Sequence, residues 1–278
     1  MAKITIQKKI QKMKKIIFAS FALLLLLNSC DDGFGLFDSS KRIVGKGAVE
    51  KQERDAKDFK GIDLMVSGNV FVKQGSNYKV TVEAQKNILD VVETVVENGI
   101  LRLKFKEGSW NMNFDKLNFY IETPSVSSLK ISGSGDMTVE SAFNSDDLDL
   151  NVSGSGNIKM PNGITVKTLE AEIGGSGDIN LTSVSAEQLS AKVLGSGNFE
   201  INGSGNKAKF EVTGSGDIAA SDFKTKATEA HTTGSGNIKC FATESLDAHI
   251  LGSGDIHCGG NPPSVQSRTT GSGEIITK

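Results

Sequence analysis

The chain has 278 residues, with 31 basic and 33 acidic side chains, a formal charge of −2, and a composition that is 37% apolar but only 6% aromatic. The first 29 residues hold six lysines and no acid, so without them 25 bases face 33 acids, a net charge of about −8. That balance excludes a nucleic-acid binder, which needs clustered Lys and Arg to neutralise phosphates. One Trp and two Tyr leave few flat surfaces for stacking sugar rings.

Residues 1–29 read as a targeting segment. Lys3, Lys8, Lys9, Lys12, Lys14 and Lys15 precede an apolar run from Ile16 to Leu27. That run is short of the roughly 20 residues a membrane-crossing helix needs, which favours a cleaved signal peptide. The true start is Met1 or Met13, because Met13-Lys14-Lys15 makes a compact beginning by itself. Leu27-Asn28-Ser29-Cys30 resembles the bacterial lipoprotein box, which implies lipid attachment at Cys30 and a membrane partner reached through that lipid. Asp31-Asp32 resembles the acidic surface-export tag of Bacteroidetes lipoproteins, implying an outer-membrane location and exposure at the cell surface. Residues 30–47 mix Gly, Ser and charge in the manner of a flexible tether.

Residues 48–125 read as the less regular, capping part of the same β-solenoid as the repeats that follow, with a separate small β domain as the alternative. Ile62, Leu64 and Val66 precede Ser67-Gly68-Asn69, and Val70 and Val72 follow. Next come the alternating stretch Tyr78 to Val82, a helical or irregular stretch from Asn87 to Glu97, and a strand from Ile100 to Phe105. A polar loop, Gly108 to Asn113, carries Trp110, read as closing the solenoid end. Terminal repeats must shield the core from water and are usually atypical.

Residues 126–278 hold the regular repeats. Gly-Ser-Gly begins at 133, 154, 175, 195, 214, 234, 252 and 271, and an acid or amide follows each copy: Asp136, Asn157, Asp178, Asn198, Asp217, Asn237, Asp255 and Glu274. The flanks alternate with period two, as in Leu148, Leu150, Val152 before a turn and Ile158, Met160 after it, so each strand has one buried face. Two short strands and a turn cannot bury that face alone, so coils of about 20 residues must stack. The expected fold is an all-β parallel β-helix whose in-register strands lie about 4.8 Å apart. Its glycines should allow positive φ values and close backbone approach at a corner repeated on every level. A ninth copy, Gly203-Ser204-Gly205-Asn206, is expected at the opposite corner of one coil.

The turn residues read as a structural ladder. Repeated Gly-Asp turns bind calcium in nine-residue β-rolls, but here the period is near 20, and alternating Asp with Asn relieves carboxylate repulsion while keeping side-chain hydrogen bonds within the turn. Cys240 and Cys258 share one core column on adjacent coils, close enough for a disulfide in an oxidising compartment or to remain as two buried thiols. His231 and His249 share one outward column, and His257 follows the next turn. The sequence identifies no third ligand beside them, so no metal site and no cofactor is assigned. Nor does it nominate a paired-carboxylate site of the kind that cleaves polysaccharides, so no catalytic residue is assigned.

Phe59 to Val72, the strand pair around Gly99 and the recurring Gly-Ser-Gly-Asp/Asn turns resemble the "putative auto-transporter adhesin, head GIN domain" family of bacterial envelope proteins, over residues 45–278. The resemblance implies a β-helix outside the cytoplasm and a surface ligand of protein or glycan nature. The expected function is a non-catalytic, lipid-anchored rod for surface or envelope interactions, with self-association and no nucleic acid. The alternatives are a polysaccharide-binding or polysaccharide-degrading β-helix, and an envelope scaffold.

Overall fold

Alternating apolar residues and a turn repeated every 18 to 21 residues build a stack of parallel coils. The computed structural model describes residues 42–108 and 111–278. Residues 1–29, expected to be a signal peptide, Cys30, most of the expected tether and Trp110 lie outside the described residues. Among the latter, one 20-stranded sheet winds through the molecule, beside a two-stranded pairing of Ile43–Val44 with Met112–Asn113. Residues 42–47, which composition places in the tether, are therefore already tied down by that pairing, and Asn87 Oδ1 accepts a further bond from the Lys46 amide at 2.7 Å.

Each regular coil has three sides where the sequence pattern shows two. In strand Ile179–Val193, Ile179 to Leu181 pair with Phe199 to Ile201, Val184 to Ala186 with Gly203 to Gly205, and Gln188 to Val193 with Lys207 to Val212. The corner between the first two runs is a bulge at Ser183, whose φ of 56° is stabilised by an amide bond to Asn202 Oδ1 at 2.8 Å. The third side is too short to read as a strand, yet Val184 and Ala186 point into the core.

In-register stacking turns the period-two pattern into continuous apolar columns. Met137, Ile158, Ile179, Phe199, Ile218, Ile238 and Ile256 form one, and all are buried. Burial of each such side chain contributes about 1.5–3 kcal/mol.

The second glycine of each turn is required by backbone crowding. A Cβ at Gly156 would stand 1.8 Å from the carbonyl oxygen of Gly135, and one at Gly177 would stand 1.9 Å from that of Gly156. Positive φ has a narrower role than the sequence suggests: within the eight turns it occurs only at the first glycine of the last three, Gly234, Gly252 and Gly271. The ninth copy does not make a corner. Gly203 to Gly205 instead form the short third side, with Asn206 at the bend that follows, and the Phe223 ring of the next coil packs over Gly205.

The N-terminal part reverses the stacking order. Strand Gly61–Leu64 lies between Ile100–Phe105 on one side and Ser128–Ile131 on the other, all parallel. Strand Asn69–Gln74 is likewise flanked by Leu117–Thr123 and Met137–Val139. The chain thus forms its second level first, then crosses to the end of the stack to build the first, then returns. Antiparallel strands close that end: Val49–Arg54 and Leu117–Thr123 flank Lys79–Gln85, and Val92–Glu97 pairs with Ile100–Phe105. The stretch from Asn87 to Glu97 is therefore one helical turn, Lys86–Leu89, followed by a strand. Asn98 and Gly99, both with positive φ, form the tight turn that matches hairpin twist.

Candidate functional site

The turn residues form a single ladder of hydrogen bonds along the solenoid. The Asn157 amide and its Nδ2 both donate to Asp136 Oδ1, at 2.9 and 2.8 Å. The Asp178 amide donates to Asn157 Oδ1 at 2.9 Å, and Asn198 donates twice to Asp178 Oδ1, at 2.7 and 3.1 Å. The alternation continues through Asp217, Asn237 and Asp255, and ends where the Glu274 amide donates to Asp255 Oδ1 at 2.8 Å. It begins one coil earlier than the eight motifs, at Asn69, whose Oδ1 accepts from the Asp136 amide at 3.4 Å. The bonds run between coils, whereas the sequence reading placed them within each turn. Carbonyls bind in the opposite direction, with the Ile158 and Ile179 amides donating to Asp178 and Asn198 oxygens at 2.9 and 3.0 Å. Asp136, Asp178 and Asp217 each accept two bonds from an Asn and Asp255 accepts one from the Glu274 amide, so each negative charge faces a donor.

Cys240 and Cys258 are in register, both buried, and unbridged. Hydrogen bonding to Cys258 and burial push the Cys240 thiol pKa up, so it behaves as a small core residue. His231 and His249 stack face to face, with ring centroids 4.9 Å apart, and His257 lies on another side of the coil opposite Lys239. The structure adds Asp247 to that pair: its Oδ1 lies 3.0 Å from His249 Nε2.

The N-terminal cap carries a second concentration of chemistry. Phe71 and Tyr120 stack at 5.3 Å, and the Lys51 ammonium sits 4.7 Å from the Tyr120 ring centre. Glu83, with a side chain only 12% exposed, lies 2.9 Å from Lys116 Nζ and accepts from the Tyr120 hydroxyl at 2.9 Å. The bond from Lys116, supported by those from Tyr120 and Asn118, holds the Glu83 carboxyl below the usual carboxylate range. Sequence reasoning missed this patch because Phe71, Glu83 and Tyr120 meet only across three strands. It also missed Asp247, although a residue two positions before His249 must lie on the same strand face. A shallow groove of about 660 Å³ runs along the outside, with Asp146, Lys167 and Glu187 among its lining residues, so both signs of charge occur there.

The fold and the turn ladder together define a repeat protein of the parallel β-solenoid class. The chain belongs to the family described as "Putative auto-transporter adhesin, head GIN domain", whose pattern matches residues 58–182 and again 160–262. Among solved structures, it is similar to a "putative lipid binding protein" from Parabacteroides distasonis, at 29% identity with a TM-score of 0.81, over 86% of this chain and all of the other. A putative adhesin from Bacteroides fragilis is 25% identical, with a TM-score of 0.66, over 85% of this chain and all of that one. Another from Parabacteroides distasonis shares the fold at 21% identity, with a TM-score of 0.79, over 86% of this chain and all of that one. No curated protein matches the chain. No helix among the described residues is long and apolar enough to cross a membrane.

Proposed function

We propose that this protein is a non-catalytic lipoprotein of the outer membrane, anchored through Cys30, that presents its solenoid at the cell surface as a rigid rod for adhesion. The observation that carries this reading is the unbroken ladder from Asn69 to Glu274, which couples every coil to the next and makes the whole length one stiff element. Eight coils at about 4.8 Å span on the order of 40 Å, enough to hold a binding surface clear of a membrane. Family membership supports the assignment, and the groove's mixture of Asp146, Lys167 and Glu187 suits a polar ligand of protein or glycan nature. Self-association belongs to the same reading, through strand Ser264–Gly271, whose outer edge meets no further strand among the described residues. The Cys240 and Cys258 thiols close to a disulfide in the envelope, passing two electrons to an external oxidant and releasing two protons.

The experiment is a screen of the purified protein on glycan arrays, matrix-protein arrays and lipid vesicles. Saturable binding to a protein or glycan without turnover supports the adhesive rod. Glycan cleavage overturns the non-catalytic assignment, and silence on all three surfaces replaces adhesion with a scaffold role. Cys30→Ser is expected to release the protein from the membrane fraction. Intact mass should show the loss of two hydrogens in envelope-derived material.

A further inference from the structure

One outward column of the solenoid runs through Lys192, Glu211, His231, His249 and Arg268 on successive coils. Two residues earlier on the same face runs Lys209, Glu229, Asp247 and Gln266. At the lower levels these columns settle their charge by pairing: Glu211 lies 2.7 Å from Lys209 Nζ and 3.9 Å from Lys192 Nζ. One level higher the pattern changes. His231, His249 and Arg268 follow one another, an order that ion pairing along the column does not favour.

The stacked imidazoles are inclined at 27° with centroids 4.9 Å apart, so the coil spacing brings their nitrogens to one side of the sheet. Asp247 joins them from the adjacent column, and one ligand atom from each of the three residues lies within 4.8 Å of the others. Two of the polar atoms here lack hydrogen-bond partners despite being shielded from solvent: His231 Nε2 and Asp247 Oδ1. The latter is 3.0 Å from His249 Nε2 but off the line that a hydrogen bond requires. Buried polar atoms without partners are rare in native proteins and call for an explanation, of which an ion is one.

We propose that His231, Asp247 and His249 form a binding site for a divalent transition metal of the zinc, copper and nickel class. Two imidazoles and one carboxylate are the donor set these borderline ions take, whereas calcium and magnesium prefer all-oxygen shells. Closing on the ion requires the ligand atoms to tilt to about 3.4 Å apart, the edge of a tetrahedron with bonds near 2.1 Å. Side-chain rotation of the outward residues supplies this without moving the coils. Glu211, one level before His231, and Glu229, one level before Asp247, add negative charge, and Arg268, one level after His249, opposes it. A cavity of about 360 Å³ lined by His231, His249, Thr233 and Arg268 lies beside the cluster, so the coordination left free faces outward and can accept water or a donor from another surface.

Calorimetric titration of the purified full chain with Zn²⁺ tests the site. One equivalent is expected to bind, with excess Ca²⁺ or Mg²⁺ failing to compete. His231→Ala and His249→Ala should each weaken binding by at least the roughly 10- to 100-fold that loss of an outer-shell partner costs. Asp247→Asn keeps the side-chain shape and guards against loss through misfolding; it should weaken binding without altering the melting profile. Substitution with Co²⁺ should give an absorption spectrum free of a thiolate charge-transfer band, separating this cluster from Cys240 and Cys258. Absence of stoichiometric binding overturns the proposal. So does binding that survives the His231→Ala, His249→Ala double variant, or that is lost in His257→Ala or Cys258→Ser.

Discussion

The cap and the last repeat leave the two ends of the stack in opposite conditions, one covered and one exposed. Between Ser128 and Thr277 each coil follows its predecessor in space as in sequence, and the same hydrogen bonds recur at every level. Between Val49 and Thr123 the chain doubles back, and antiparallel strands cross the end of the stack. At the far end, strand Ser264–Gly271 is exposed throughout, with Val265 at 44% exposure. A repeat therefore propagates a core but does not close one; closure needs a segment that breaks the repeat.

This contrast can be broken most severely at the turns. Gly156→Ala places a Cβ against a fixed carbonyl one coil away, and a loss on the order of 4 kcal/mol or outright failure to fold is expected in denaturant melts. Gly99→Ala in the cap meets open space and strains only φ, for about 1–2 kcal/mol. Equal losses in the two variants would show that the coils are not held at their observed spacing. Phe119→Ala empties the cap core and should cost about 3–5 kcal/mol. Hydrogen exchange is expected to accelerate around Gly61–Leu64 and Asn69–Gln74 while the last coils keep their protection; uniform acceleration would mean the whole rod unfolds as one unit.

The ladder offers a milder perturbation. Asp178→Ala strips the acceptor for two Asn198 donors and should cost about 1–2 kcal/mol, whereas Asp178→Asn, which still accepts, should cost less. Smallest of all are the acid-side effects, which should differ in sign between the two regions. Glu83 in the cap has a depressed folded pKa, so its stabilisation is present above the unfolded value and is lost as pH falls through the folded one. Asp149 in the repeats is shifted upward by burial and then by Glu170, so its site gains stability as pH falls through that raised value. Glu83→Gln should flatten the acid loss and Asp149→Asn should raise stability near neutral pH. Each is worth only about a few tenths of a kcal/mol, because the Lys116 partner of Glu83 is 44% exposed and Asp149 lies on the outer face, where solvent screens the charge. Matching signs in pH-dependent melts would refute the assigned environments.

Much of the repeat was legible because the signal was local and recurred. Gly135, Gly156 and Gly177 announce a close approach, and Leu148, Leu150 and Val152 announce a buried face, without reference to any other part of the chain. The third side of each coil was not legible. Val184 and Ala186 are only two inward residues between bends, below the length at which alternation stands out. The metal-competent trio was half legible: the column of His231 and His249 follows from the period, but the value of Asp247 depends on a distance.

The chain's residues alone determined the solenoid, its coil length and the column each side chain occupies, because a two-residue strand period and a fixed turn leave one register that buries the apolar face. Only the tertiary structure decided which level stacks on which. That order set the Gly61–Leu64 strand between Ile100–Phe105 and Ser128–Ile131, assembled Phe71, Glu83 and Tyr120 into one patch, and turned the Asp/Asn alternation into bonds between coils. Parallel neighbours are specified by contacts between residues far apart in the chain, and no periodicity within a single coil records them.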